Sequence, residues 1–455
     1  MNGVTPGGIR APGTHTGGLK QVLGVGFGIA VIVGGTLGVG ILRTPGLVAG
    51  QLASPSSILA VWLVGGLYTL LSSVCLTELG TMLPRAGGYY VYARRAFGDT
   101  VGFAVGWSDW ITYCAVLGYL TIAIGEFAAV LMPSVTPGVK LIAASVLVVF
   151  TALQWAGVRI SSRFQQWTTA VKCLAFLGLV AACFAHAASS PAPGFGPRAP
   201  LPAPAFAGLV VALQSVAITY GGWQSALYFT EEDRDPRRNL PRSMIGGVLS
   251  VIGIYLLVNL ALLSVLPVTD LARSTLPAAD AAKVIFGGQG GQVITLLSLV
   301  SLPPLVNAIL MIGTRVLFAM GRDRLLWGGA AVVNDRGTPI VATAVTAAVA
   351  MALIATGTFQ KLVAVVSFFL VANYCVSCLA LIVLRWREPL RERPFRAWGY
   401  PWSAGIVLAG AVAFMIGALL GDTPNALLAT GLLAAGLLGR AWTLRRSGLA
   451  ARSAG

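Results

Sequence analysis

Apolar residues run along this chain in long blocks, separated by polar residues, prolines and arginine-rich stretches. A helix needs about 20 mainly apolar residues to cross the hydrocarbon core of a bilayer. Blocks of that length stand at 22–48, 56–82, 101–131, 138–158, 164–188, 206–230, 243–266, 291–319, 339–357, 361–384, 402–421 and 424–442, which predicts twelve transmembrane helices in an all-α integral membrane protein. A polar tail at 1–21 precedes them and a short one at 443–455 follows.

Composition agrees with lipid as the main solvent. Of 455 residues, 56% are apolar and only 10% charged, where soluble domains carry about 25% charge. The net charge of +16, from 31 Lys and Arg against 15 Asp and Glu, would point to nucleic acid in a soluble protein. Topology accounts for it instead, and no nucleic-acid partner is expected. With the N-terminus inside, 24 of the basic residues fall on the cytoplasmic side and 5 outside, while Arg43 and Lys172 lie within spans. Basic residues collect in cytoplasmic loops, and a miscounted helix would exchange the sides of every later loop. The asymmetry therefore predicts a multi-pass protein of the inner (plasma) membrane with both termini cytoplasmic. The first twenty residues lack an apolar core with a cleavage site, so the tail reads as a disordered cytoplasmic lead-in.

The six cysteines all lie in apolar stretches, where a thiol behaves as a small hydrophobe, and imply no disulfide framework. Cys375 and Cys378 form a C-x-x-C within a helical run without a second pair, which favours helix packing over metal. His15 and His186 are far apart in the chain. No metal site, cofactor or enzyme constellation is expected.

Two spans carry glycine clusters at mid-depth: Gly34-Gly35-Thr36-Leu37-Gly38-Val39-Gly40 followed by Pro45-Gly46 in the first, and Thr219-Tyr220-Gly221-Gly222-Trp223 in the sixth. Irregular backbone within a membrane is tolerated only where it is buried in protein or lines a cavity. Glycine-interrupted spans in corresponding positions of two halves point to a transporter's substrate site. Close helix packing is the other reading of each cluster taken alone. Their spacing of five spans predicts two inverted five-helix repeats, at 22–188 and 206–384, with two accessory helices at 402–442.

Four motifs then carry a family resemblance: Gly38-Val39-Gly40-Ile41-Leu42-Arg43-Thr44-Pro45-Gly46; Glu78-Leu79-Gly80-Thr81-Met82-Leu83-Pro84-Arg85-Ala86-Gly87-Gly88; Tyr220-Gly221-Gly222-Trp223 with Thr230-Glu231-Glu232 and Asn239-Leu240-Pro241-Arg242; and Arg315-Val316-Leu317-Phe318-Ala319-Met320-Gly321-Arg322-Asp323. The chain resembles the amino acid/polyamine/organocation permeases, nearest their L-type amino acid transporter-like branch. The resemblance implies a ten-helix inverted-repeat core of the LeuT-like kind, with broken helices one and six and two added C-terminal helices, that moves amino acids by alternating access. It implies a carboxylate site on the N–H groups of Val39 and Gly40, beside Gly38, and an ammonium site on the carbonyls of Thr36, Ile218 and Gly221. Tyr220 and Trp223 belong to the motif at the second break; Trp223 reads equally as a packing aromatic. Gln224 and Ser225 are candidates to read the side chain. Val39 stands where the family often has a small hydroxyl residue, which removes one hydrogen bond to the carboxylate.

Charge at membrane depth is costly enough to suggest function by default. Lys172, inside span five, matches the lysine that replaces a bound Na⁺ in the L-type-like and proton-coupled branches, and it is expected to reach the carbonyls near Gly34 and Gly35. Sodium-independent transport follows as an expectation. Glu78 and Arg85 are expected in an inner gate, and Asp109 beside Arg94 or Arg95.

A largely backbone-built site without an acidic contact favours a neutral amino acid. An amine or cationic amino acid antiporter or efflux carrier is the alternative among carriers, and a membrane amino acid sensor the alternative of another class. Animal L-type transporters join a heavy subunit through a Cys after span three; Met132–Lys140 contains none, so no disulfide-linked heavy subunit is expected. A monomer or weak homo-oligomer remains, with the amino acid and the bilayer as partners.

Overall fold

Ser54 caps the second apolar block by accepting a hydrogen bond from the Ser57 N–H at 3.2 Å, and Pro55 supplies a first residue that has no N–H to satisfy. From there α3 runs unbroken over Pro55–Met82. A computed structural model describes residues 19–52, 54–189, 206–356, 359–421 and 427–440, and helices dominate throughout. The terminal tails fall outside the described residues apart from 19–21.

In chain order the helices are α1 (Val25–Thr36), α2 (Gly40–Gln51), α3, α4 (Tyr89–Phe97), α5 (Asp99–Leu131), α6 (Val139–Trp155), α7 (Val158–Ser189), α8 (Phe206–Thr219), α9 (Pro236–Val265), α10 (Val268–Arg273), α11 (Pro277–Phe286), α12 (Gly290–Arg322), α13 (Ile340–Thr356), α14 (Phe359–Arg387) and α15 (Trp402–Gly421). Leu427–Arg440 forms α16. Among the described residues, eight helices are long and apolar enough to span a bilayer, or nine with the bent α1–α2 pair counted as one span. Three shorter apolar helices, Ile340–Ala355, Trp402–Gly417 and Leu427–Arg440, stand where the ninth, eleventh and twelfth spans are expected.

The outer surface matches a lipid solvent. Trp167, Leu174, Trp386 and Leu438 stand exposed, large side chains that a water-soluble protein would rarely leave in such number. Some buried hydroxyls are satisfied on their own helices: Thr77, Thr121 and Thr151 each donate to the carbonyl four residues back. Inside, α12 packs on α5 and α7, α3 on α9, and α1 on both α9 and α7.

The structure adds elements that apolar blocks do not announce. Short α4 lies between α3 and α5, and α10 and α11 fill the segment between α9 and α12. Two helices begin earlier than expected. Gly157, with φ +119°, turns the chain straight from α6 into α7, and α9 starts at Pro236 after Asp235. Arg159 and Arg163 therefore ride on α7, and Arg237, Arg238 and Arg242 on α9.

Candidate functional site

The first break lies between Thr36 and Gly40, where Leu37–Val39 leave the helix and α2 sets off at 50° to α1. In the sixth expected span, α8 ends at Thr219, Tyr220–Gly222 turn, and the chain resumes as a 3-10 helix over Trp223–Phe229. The two breaks touch each other. Gly222 has φ +115°, and a Cβ there would overlap the carbonyl oxygen of Gly35. Only glycine permits both that conformation and that approach. The Tyr255 hydroxyl, from α9, lies 2.8 Å from Thr36 O and 2.9 Å from Thr219 O, so one phenol serves the last carbonyls of both half-helices. Thr44 and Thr219 join their hydroxyls at 2.7 Å across the same gap.

Breaking a helix frees backbone groups. The first N–H groups of α2, at Gly40 and Ile41, have no intrahelical acceptor, while the Leu42 N–H already donates to Val39 O at 3.1 Å, and the helix dipole makes that end attractive to an anion. The last carbonyls of α1 and α8 form the complementary, electron-rich ends. Gly40 is exposed and Val39 half-buried, so this end of α2 is open to a ligand.

A cavity of about 440 Å³ lies beside the breaks. Gly35, Ile218, Gly221, Gly222, Trp223 and Gln224 line it together with Leu305 and Ile309 of α12 and with Thr112, Tyr113 and Tyr374. No Asp, Glu, Lys, Arg or His is among its described lining residues. Of the residues singled out from sequence, Ile218, Gly221, Trp223 and Gln224 line the cavity, while Thr36, Gly38, Val39 and Gly40 belong to the adjoining break. Trp223 packs its ring 5.7 Å from that of Tyr374. Gln224 is held in place, its Oε1 accepting from Gly222 N at 3.1 Å and from the Tyr374 hydroxyl at 3.2 Å. Ser225 donates to Gly222 O at 2.6 Å and so supports the turn rather than facing the cavity. Tyr220 is fully buried away from the cavity, packed on Trp62 and Tyr255 with its hydroxyl on Trp62 O at 3.1 Å.

Lys172 is fully buried, with Nζ donating to Gly34 O at 2.9 Å. It ends a stripe on one face of α7, since Ser161, Gln165, Thr169 and Lys172 recur at helical spacing and all are buried. Thr169 donates to Ala30 O at 3.1 Å, Asn307 to Gln165 Oε1 at 2.9 Å, and Gln154 to Asn307 Oδ1 at 2.7 Å. α1, α6, α7 and α12 are thus joined by side-chain amides and hydroxyls in an otherwise apolar interior. Sequence reasoning singled out Lys172 alone. The spacing of 161, 165, 169 and 172 was the available signal for the rest.

The arginine-rich face is closed by ion pairs. Arg315 and Glu232, both fully buried, meet at 2.8 and 3.0 Å in a bidentate pair. Glu232 O also accepts from the N–H groups of Val22 and Leu23 at 2.9 Å, which ties the chain before α1 to the segment after the 3-10 helix. Arg322 binds Glu231, and Asp323 gathers Arg85, Arg94 and the Tyr90 hydroxyl. Glu78 is buried against Arg385 at 2.9 Å and Arg393 at 3.1 Å. The expected pairing of Asp109 is corrected: its carboxylate accepts from the Tyr228 hydroxyl at 2.8 Å, whereas Arg94 is taken by Asp99 and Asp323, and Arg95 by Glu388. Asp109 lies well inside α5, whereas Asp99, which Arg94 does reach, is its first residue. Outside the spans, partial burial acts to raise the Glu388 carboxyl, but hydrogen bonds from Arg95 and Arg391 outweigh it and hold the group below its ordinary range.

A many-helix membrane protein whose two interrupted spans meet beside a central cavity has the architecture of a carrier. The chain belongs to the amino acid permease family, whose profile matches residues 28–439. It is similar to the serine/threonine exchanger SteT of Bacillus subtilis, 27% identical over 426 residues that cover 90% of this chain and 94% of the relative. It is also 28% identical to the mouse Asc-type amino acid transporter 1, over 83% of this chain and 73% of the relative. Human large neutral amino acids transporter small subunit 2 is 29% identical, over 83% of this chain and 72% of the relative.

Proposed function

We propose that this permease is a sodium-independent carrier of neutral amino acids, working by alternating access in the plasma membrane with both termini cytoplasmic. The observation that carries this reading is the meeting of the two breaks at Gly35 and Gly222 beside a cavity without an ionised lining side chain among its described residues. A zwitterion brings its own two charges and needs only backbone groups to receive them. Its carboxylate is assigned to the N–H groups of Val39 and Gly40 at the start of α2. Its ammonium is assigned to the carbonyls of Thr36, Ile218 and Gly221; a carbonyl that already accepts one hydrogen bond keeps a second lone pair. A cationic substrate would need a buried acidic partner, which disfavours amine or cationic amino acid transport.

Lys172 acts in this reading as the coupling group, its ammonium holding α1 through Gly34 where a metal ion would otherwise sit. The domain reading goes with it: inverted repeats at 22–188 and 206–384, accessory helices at 402–442, and twelve crossings in all. The chain works without a cofactor, carries out no enzymatic reaction, and functions as a monomer or weak homo-oligomer. No disulfide-linked heavy subunit is included, since the loop at 132–140 after the third expected span contains no cysteine.

The test is counterflow in proteoliposomes. Preloaded unlabelled neutral amino acid should accelerate entry of the labelled form in sodium-free buffer. Strict dependence on Na⁺ would remove the coupling assignment, and absence of acceleration would leave a sensor or channel rather than a carrier.

A further inference from the structure

The cavity does not end at the helix breaks. It continues sideways into a lobe between α3, α8 and α15, walled by Val64, Tyr68, Leu213, Val407, Ala411 and Phe414. Helix α15 lies outside the predicted repeat core, yet it is fastened to that core. The Tyr68 hydroxyl donates to Val407 O at 2.8 Å, and Cys378 of α14 donates its thiol to Ala404 O at 3.2 Å. Gly410 gives the Tyr68 ring its seat, since a Cβ there would stand 2.5 Å from Cε2. This wall is held by both packing and hydrogen bonds, the condition for a site that discriminates by shape.

The chemistry of the lobe is equally defined. Hydroxyls along the cavity already donate to backbone carbonyls: Tyr68 to Val407, Thr69 to Gly65, Ser72 to Tyr68 and Thr112 to Ser108. Polar backbone ends thus stand at one end of the cavity and a mainly apolar lobe at the other, where the amide of Gln214 on α8 lies beside Gly417 of α15. We propose that α15 forms the far wall of the side-chain half of the substrate site, and that this permease prefers amino acids with bulky apolar side chains over small ones. The inference rests on the transport reading above. A small substrate, serine included, would leave the lobe unfilled. A bulky apolar side chain displaces water from the lobe and gains from its own transfer.

The test compares counterflow of labelled phenylalanine, leucine, alanine and serine in proteoliposomes, with two substitutions in the wall. Wild-type protein should favour phenylalanine or leucine over alanine by about tenfold or more in kcat/KM, the low end of what a methylene-sized difference commands in an apolar pocket. Ala411→Leu, which narrows the lobe, should lower the phenylalanine-to-alanine ratio by about tenfold. Phe414→Ala, which widens it, should raise uptake of tryptophan relative to leucine, and it carries the test if Ala411→Leu fails to fold. A wild-type preference for alanine or serine overturns the proposal. So does an unchanged ratio in the folded variants, the result expected if a lipid chain fills the lobe. Failure of the wild-type protein to move any amino acid would overturn the transport reading, and this inference with it.

Discussion

The ammonium of Lys172 lies 2.9 Å from the carbonyl oxygen of Gly34, fully buried between α7 and α1. A Cβ on Gly34 would come within 2.5 Å of the Gln165 amide, so the close approach that brings this carbonyl to the lysine depends on the glycine. A hydrogen bond to a charged donor contributes about 1.5–3 kcal/mol. If that energy is spent in one conformation of the transport cycle, Lys172→Met should slow counterflow by roughly ten- to a hundredfold. The protein should still elute as a folded species in size-exclusion chromatography. Wild-type rates in the methionine variant would remove Lys172 from the mechanism.

Gly222→Ala combines backbone strain at a left-handed residue with an overlap with Gly35 O. Overpacking and backbone strain each cost about 1–3 kcal/mol, so the two breaks should part and uptake should fall below detection. Gly253 on α9 meets nothing within 4 Å, and the same substitution there is the control. Comparable uptake loss in both variants would show that the crossing of the breaks is not special.

Removing one member of the Arg315–Glu232 pair leaves the other charged and buried, a loss of about 3–5 kcal/mol. Thermal unfolding in detergent should therefore place Glu232→Gln well below wild type. Combining it with Arg315→Met should recover much of the difference, because the uncompensated charge is gone. A double variant as unstable as the single one would mean that the backbone bonds to Glu232 carry the stability instead.

Acid should weaken the contact between α4 and the chain after α14. Glu388 is held below its ordinary carboxyl range by Arg95 and Arg391 despite partial burial. A carboxyl with a depressed native pKa stabilises the fold above its unfolded value, about 4.3, and loses that contribution as pH falls through the native value. Glu388→Gln should consequently unfold at a lower temperature than wild type at pH 7, and the two curves should converge as pH falls below about 4.3 and through the native value. Parallel curves across that range would contradict the assignment.

Much of this architecture is legible in the order of residues, for physical reasons that also mark where legibility stops. The apolar blocks locate α3, α5, α9 and α12 because block length reports bilayer thickness directly. Short α4, α10 and α11 escape, since a one-sided helix of six to ten residues has no such ruler. At the site, Gly34–Gly40, Gly221–Gly222 and Lys172 are conspicuous because each is costly in a membrane helix. Tyr255, Tyr374 and Asn307 are not. An aromatic or amide inside an apolar run reads as packing until the opposite helix is known, and Tyr255 matters only because it faces the ends of α1 and α8 together. The lobe against α15 is invisible for the same reason: Tyr68 and Gly410 are 342 positions apart in the sequence.

At the crossing of the two breaks, backbone meets backbone with no side chain between Gly222 and Gly35. Side chains are the compliant part of a protein, able to change rotamer and take up slack; main chain in hard contact has none to give. Sliding of the half-helices past one another would break this contact, whereas rotation about it would leave the distances at the centre almost unchanged; in an alternating carrier such a point would serve as a pivot.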